Sequence, residues 1–150
     1  MMKIDKNKHY RMPLITGPLW DPEKDGPARI PYPEVEMPVM QYQTDHDAIQ
    51  ALLPDCYHTD KEPNVTVLFS YYSGCDFTAG GGYRMAVVQV AARFDGEHDH
   101  VAGDCMLVVF EDDTRPIIGG REELGAPKIY ADISPIKTLT NGNLRCEASG

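Results

Sequence analysis

Three stretches of this chain carry apolar, β-branched and aromatic residues in runs too continuous for loops: 65–72, 83–94 and 101–110. Runs of that composition predict strands. Asp95-Gly96 separates the second from the third, and Asn141-Gly142 lies further on; both dipeptides are hairpin-turn signals. Residues 139–144 therefore predict a tight hairpin, with its second strand running on through Arg145 to Ala148. Helical spacing occurs once, in Ala48, Ile49, Leu52 and Leu53, with Thr44 or Asp45 as the cap and Pro54 as the stop. Between Met12 and Pro38 the prolines at 13, 18, 22, 27, 31, 33 and 38 predict an extended arm with no regular helix. Leu14, Ile15, Leu19, Trp20 and Ile30 imply that the arm packs against a surface.

The pattern gives one mainly β domain over 1–150, a β-rich α+β chain with one short helix near 45–53 and a proline-rich N-terminal arm. Its last predicted strand ends almost at Gly150 with nothing after it to cover an edge. Three explanations stand: the barrel closes within these residues, the chain is a fragment incomplete at its C-terminus, or another subunit completes it. An uncovered edge in an acidic, β-rich chain predicts a homo-oligomer.

Composition narrows the function. The formal charge of −9 argues against nucleic acid, which needs a basic face. No run of eighteen apolar residues is present, so no membrane-spanning helix is expected. The polar N-terminus lacks the apolar stretch of a secretory signal, which predicts a cytoplasmic protein. Cys56, Cys75, Cys105 and Cys146 form no Cys-x-x-Cys; the last two sit in strand-like runs and read as buried, reduced thiols. Glu97-His-Asp-His100 reads as a solvated hairpin tip, Gly80-Gly-Gly82 as a flexible loop, and Glu111-Asp-Asp113 as a wet acidic turn. No metal or cofactor is expected.

The residues with chemistry in them are Gly120-Arg-Glu-Glu-Leu-Gly-Ala-Pro-Lys128. Arg121-Glu-Glu-Leu124 reads as a short polar turn, Gly125 as a hinge, and Pro127 fixes the backbone before Lys128. Residues 129–133 then alternate as a strand, so the lysine stands where a loop enters a sheet, among Ile117, Ile118, Ile129, Tyr130 and Ile133. Such a lysine can be desolvated. With an ordinary pKa near 10.4, less than about 0.1% of a free lysine is neutral at pH 7. Burial can lower that pKa by roughly 3–5 units and release a nucleophilic amine. The amine attacks a carbonyl, and the resulting iminium accepts electrons from the adjacent breaking bond.

Met12-Pro13 with Gly17-Pro18, Tyr42-Gln-Thr-Asp45, Phe94-Asp-Gly96 and, above all, Gly-Arg-Glu…Pro-Lys128 resemble the acetoacetate decarboxylase family. Those enzymes are the known case of a lysine activated in this way. The resemblance runs over nearly the whole chain, although the family's proteins are substantially longer, and it implies an antiparallel β-barrel or cone. It also implies that Lys128 is the Schiff-base lysine; Glu122, in the same motif, either holds the loop by a salt bridge to Arg121 or a neighbour, or positions the lysine or moves protons. Tyr83, Arg121 and Arg29 fall to the substrate pocket, Arg29 because Val35 stands at the family's arginine position. Ile129 replaces the second lysine that directly follows the first in the decarboxylases, so burial is left to act alone on Lys128. Ser70 and Met85 stand where the decarboxylases carry two pocket glutamates, which implies a less acidic, more apolar pocket.

The function expected is Schiff-base lyase chemistry on a small keto acid or related carbonyl compound. It would be decarboxylase-like, with acetoacetate adducts forming but losing carbon dioxide slowly. An aldolase or dehydratase can use the same iminium. A non-catalytic protein that binds small carbonyl ligands in a retained pocket is the alternative from another class.

Overall fold

A computed structural model describes residues 20–21, 26–27 and 31–150. In chain order its elements are β1 (Trp20–Asp21), β2 (Gly26–Pro27), β3 (Glu34–Glu36), β4 (Val39–Gln43), α1 (His46–Gln50), β5 (Tyr57–His58) and β6 (Asn64–Ser73). After a 3-10 turn (Asp76–Thr78) come β7 (Tyr83–Asp95), β8 (His100–Glu111), α2 (Thr114–Leu124), β9 (Lys128–Tyr130), β10 (Asp132–Ile133), β11 (Lys137–Thr138), β12 (Leu144–Arg145) and β13 (Ala148–Ser149). No helix among the described residues is long and apolar enough to cross a membrane.

The three apolar runs form the long strands β6, β7 and β8, each paired antiparallel with the next. The end of the arm joins them. Pro33 and Pro38 flank β3, which with β4 pairs along β6 at the sheet's edge, where proline is tolerated. The remaining arm residues of the sequence reading, 12–19, 22–25 and 28–30, lie outside the described residues. The central sheet has seven strands and runs from β3 and β4 at one edge to β9 at the other. Among the described residues it stays open, so the expected closed barrel or cone is not what these strands form. It is not wholly antiparallel either, since β9 runs parallel to β8. Parallel neighbours need a crossover, and α2 supplies it.

Two further expectations need correcting. Residues 121–124 are no polar turn: they end an eleven-residue helix, so the chain has a second helix besides the one near 45–53. The final strand is not one run and is not bare. It breaks at 146–147, and Ala148–Ser149 pairs antiparallel with Asp132–Ile133. The Asn141-Gly142 hairpin forms as expected between β11 and β12. Asp45 caps α1, its Oδ1 accepting from the Ala48 N–H at 2.9 Å.

The sheet buries both faces. On one, Ile49 and Leu53 from α1 and the turn after it pack on Val65, Val90 and Ala92, while Ala86 meets Ala131 and Ile133. Side chains alternate along a strand, so Ser70, Tyr72, Tyr83, Met85, Val87, Val109 and Glu111 point to the other face. The four cysteines form no disulfide; Cys75 is the fully buried one, and Cys105 and Cys146 are only partly buried.

Candidate active site

The register of the sheet gathers the site. Strand pairing sets Leu68, Val87, Val109 and Lys128 in one cross-strand row, and Ser70, Met85, Glu111 and Tyr130 in the next row on the same face. Tyr72 and Tyr83 form a third row beyond it. The expected pocket residues Ser70, Met85 and Tyr83 therefore share a face with Lys128, although three different strands carry the four side chains.

Local sequence explains how the lysine is held. Asp113 caps α2, its carboxylate accepting from the Arg115 N–H at 2.8 Å, and Pro116 falls in the first turn, where no helical N–H is lost. Gly125 ends the helix with φ +65°, a left-handed conformation that favours glycine. The Ala126 N–H then bonds Gly120 O at 3.1 Å, and the chain enters β9 beside β8. Arg121 reaches over from the helix and donates to the Lys128 backbone carbonyl at 2.9 Å. Gly120 is required by contact rather than by conformation. A β-carbon there would stand 2.7 Å from Lys128 Nζ and closer still to Cδ and Cε. The lysine side chain lies in the space that glycine leaves.

Nζ ends between two acceptors. Glu111 Oε1 is 2.8 Å away and the Pro116 carbonyl oxygen 3.1 Å. The lysine side chain keeps 14% of its exposure and the glutamate none. Burial pushes the Glu111 carboxyl above the usual carboxylate range; the hydrogen bond and charge of Lys128 pull against it, and Asp112 and Asp113 add to the rise. Glu111 Oε2 and Ser70 Oγ are both buried with no hydrogen-bond partner, and the nearby Tyr72 phenol does not meet hydrogen-bond geometry with Ser70. Beyond them stands an aromatic wall in which Tyr72 stacks on Tyr83 with ring centroids 4.8 Å apart, while Phe77 and Tyr32 pack on its flanks. Burial drives both phenols upward, Tyr83 the further.

Glu111 is the residue that sequence reasoning missed. The acidic run from 111 to 113 resembles a solvated turn, yet its three members do different work. Glu111 closes β8 inside the protein, Asp112 binds the Arg84 guanidinium at 3.0 Å, and Asp113 caps α2. The expectation that burial alone acts on Lys128, in a pocket stripped of carboxylates, is corrected by this pair. Glu122 lies exposed on α2, and the carboxylate on Nζ is that of Glu111. Met85 is half-buried between Ser70 and Glu111, and Arg29 lies outside the described residues. The hairpin tip behaves as expected, with an exposed His100 Nδ1 3.0 Å from Asp95 Oδ1. Among the described residues no three His, Cys, Asp or Glu side chains gather as a metal site would require.

Fold and site together define a strand-rich protein in which a β–α–β crossover lodges a lysine amine against a buried carboxylate. The chain belongs to the acetoacetate decarboxylase family, whose sequence profile matches residues 11–149. The acetoacetate decarboxylase of Chromobacterium violaceum is 33% identical over 123 residues, which is 82% of this chain and 45% of that protein. The crystal structure of acetoacetate decarboxylase from Legionella pneumophila matches with a TM-score of 0.60 at 26% identity, over 82% of this chain and 48% of that one. Another acetoacetate decarboxylase structure aligns with 97% of this chain and 55% of its own, with a TM-score of 0.71; at 21% identity that likeness is one of fold. The chain thus spans about half the length of the relatives it matches.

Proposed function

We propose that this chain is a Schiff-base lyase that acts on a small keto acid in the manner of a decarboxylase, with Lys128 as the nucleophile. The observation that carries the reading is the position of Lys128 Nζ, lodged over Gly120 and 2.8 Å from the fully buried Glu111 carboxylate. Membership of a decarboxylase family supports it.

The chemistry follows from the amine. Once Nζ has given up a proton, its lone pair attacks the ketone carbon and the carbonyl π pair moves to oxygen. Loss of water from that adduct leaves an iminium. In a β-keto acid the bond to the carboxylate then breaks, its electron pair neutralises the iminium as an enamine, and carbon dioxide departs. Protonation at carbon and hydrolysis return the ketone and the free lysine. The same enamine can add to an aldehyde, so aldol chemistry is the second reading. It draws on the same observation, because a buried carboxylate beside the amine can move protons at the α-carbon.

The test is to incubate the purified chain with acetoacetate, reduce one portion with borohydride and follow carbon dioxide in another, with Lys128→Ala alongside. The proposal expects reduced adduct on Lys128 and carbon dioxide release that Lys128→Ala lacks. Product formation with pyruvate and an aldehyde, in place of decarboxylation, would favour the aldol reading. Identical behaviour of the chain and Lys128→Ala towards every keto acid tried would leave a binding protein.

A further inference from the structure

We propose that Glu111 is a catalytic residue of this site, taking the proton from Lys128 Nζ through Oε1 and handing protons to the substrate through Oε2, while Ser70 Oγ holds the substrate's polar end. The assignment rests on the reading of Lys128 as nucleophile and goes beyond it.

Its basis is geometric. A fully buried carboxylate normally satisfies both oxygens, because an unpaired polar atom away from water is costly. Glu111 spends one oxygen on Nζ and leaves the other without a partner, and Ser70 Oγ, equally buried on the same face, is in the same condition. Both belong to one cross-strand row, with Met85 on the strand between them. At about 4.8 Å per strand, β6 and β8 lie roughly 10 Å apart, a span that suits a short keto acid lying over Met85. Two orphaned polar atoms at the ends of such a span, one of them beside the amine, are what a polar substrate would satisfy.

The proton inventory balances with one carboxyl. Glu111 carboxylate takes a proton from the ammonium and becomes the acid, leaving the neutral amine. After attack and proton transfer within the adduct, the acid protonates the departing hydroxyl; water leaves with the carbon–oxygen pair, and the carboxylate is restored beside the iminium. Loss of carbon dioxide yields the neutral enamine. Glu111 recovers a proton from solvent, delivers it to the enamine carbon, and then draws one from the water that hydrolyses the iminium. The net uptake is the single proton that decarboxylation of a keto carboxylate requires.

The groups facing Glu111 are Lys128 from β9, Tyr72 from β6, Tyr83 from β7, and Asp112 and Asp113 at the turn into α2. Adduct formation needs the Glu111 carboxylate free to take the amine's proton, so its rate falls when that carboxyl is already protonated. Burial places that acid limb above the ordinary carboxylate range.

The experiment measures the rate of borohydride-trappable adduct on Lys128 with acetoacetate, across pH, in the wild type, Glu111→Gln and Glu111→Gln with Met85→Glu. Folding of each variant is checked by circular dichroism. Glu111→Gln is expected to slow the adduct about 10²-fold or more, the usual worth of a placed acid–base group, and to abolish the acid limb. Met85→Glu, a direct cross-strand neighbour about 5 Å away, should restore at least tenfold of the loss. Glu111→Gln with the wild-type rate and profile, or a folded double variant with no recovery, would overturn the assignment. If Glu111→Gln does not fold, the wild-type profile decides: an acid limb above the carboxylate range supports the assignment, and a flat profile through that range overturns it. Complete absence of a Lys128 adduct in the wild type would strike the lysine reading itself, a result distinct from these.

Discussion

Lys128 occupies the volume that any side chain at position 120 would need, and this separates folding from function at one residue. Alanine at 120 should favour the helix by about 1 kcal/mol over glycine, and the atoms it would strike are the flexible end of a lysine. Gly120→Ala is therefore expected to melt cooperatively while losing at least tenfold of its borohydride trapping. Trapping at the wild-type rate would show that the lysine works elsewhere. Glu111 gives a prediction of opposite sign to that of most carboxylates. Its folded pKa lies above its unfolded value near 4.5, so its contribution is present below that value and is lost as pH rises through the folded one. Urea melts should show Glu111→Gln costing less, relative to wild type, at pH 7 than at pH 4.5. A cost that grows with pH would contradict the raised carboxyl. Gly120 was legible as the start of the lysine motif but not as the floor under Lys128, because a glycine's neighbour across a crossover is invisible in sequence; Glu111 was not legible at all, because a charge in an acidic run reads as wet.

At the scale of elements, α1 and the long strands were legible because their signals are local. Asp45 with Ala48, Ile49, Leu52 and Leu53 shows helical period and cap together, and valine-rich runs name strands. The helix α2 was masked by Pro116 and the Gly119-Gly120 pair, which speak against a helix interior. Its true signals were Asp113 at the cap, proline confined to the first turn, and Gly125 at the end. The strands β3, at the end of the arm, and β4, just after it, depend on pairing with β6, which no local pattern announces. Because α2 carries the site, its cap matters. Asp113→Ala removes the acceptor for the Arg115 N–H and should cost about 1 kcal/mol in urea unfolding at pH 7. The hydrogen bonds from Arg115 hold Asp113 below its usual range, so this contribution is present above about 3.8 and lost as pH falls through the lower folded value. Equal stability of the two proteins at pH 7 would contradict the cap.

For the whole molecule, the fact with consequences is that the sheet stays open among the described residues. Along its β4 edge Val39, Met40 and Tyr42 are each more than half exposed among the described residues, and an exposed apolar edge invites pairing. Self-association is expected: sedimentation equilibrium should give a mass above the 16.7 kDa of one chain, and Met40→Lys should lower it. A clean monomer at high concentration would contradict that expectation. The strand-rich class and the family were legible from the sequence, because the lysine motif and its flanking runs survive as a linear pattern. The openness of the sheet was not, since closure depends on which distant segments pair.

Borohydride reduction after incubation with acetoacetate, followed by peptide mapping, tests the central claim most directly. Lys128 is the lysine braced against a buried carboxylate, whereas Lys61 and Lys137 lie exposed. The account predicts a reduced adduct on the peptide that contains Lys128, an isopropyl group where carbon dioxide has already left, with Lys61 and Lys137 unmodified. Reduction that leaves Lys128 untouched, or that marks the exposed lysines equally, would contradict it.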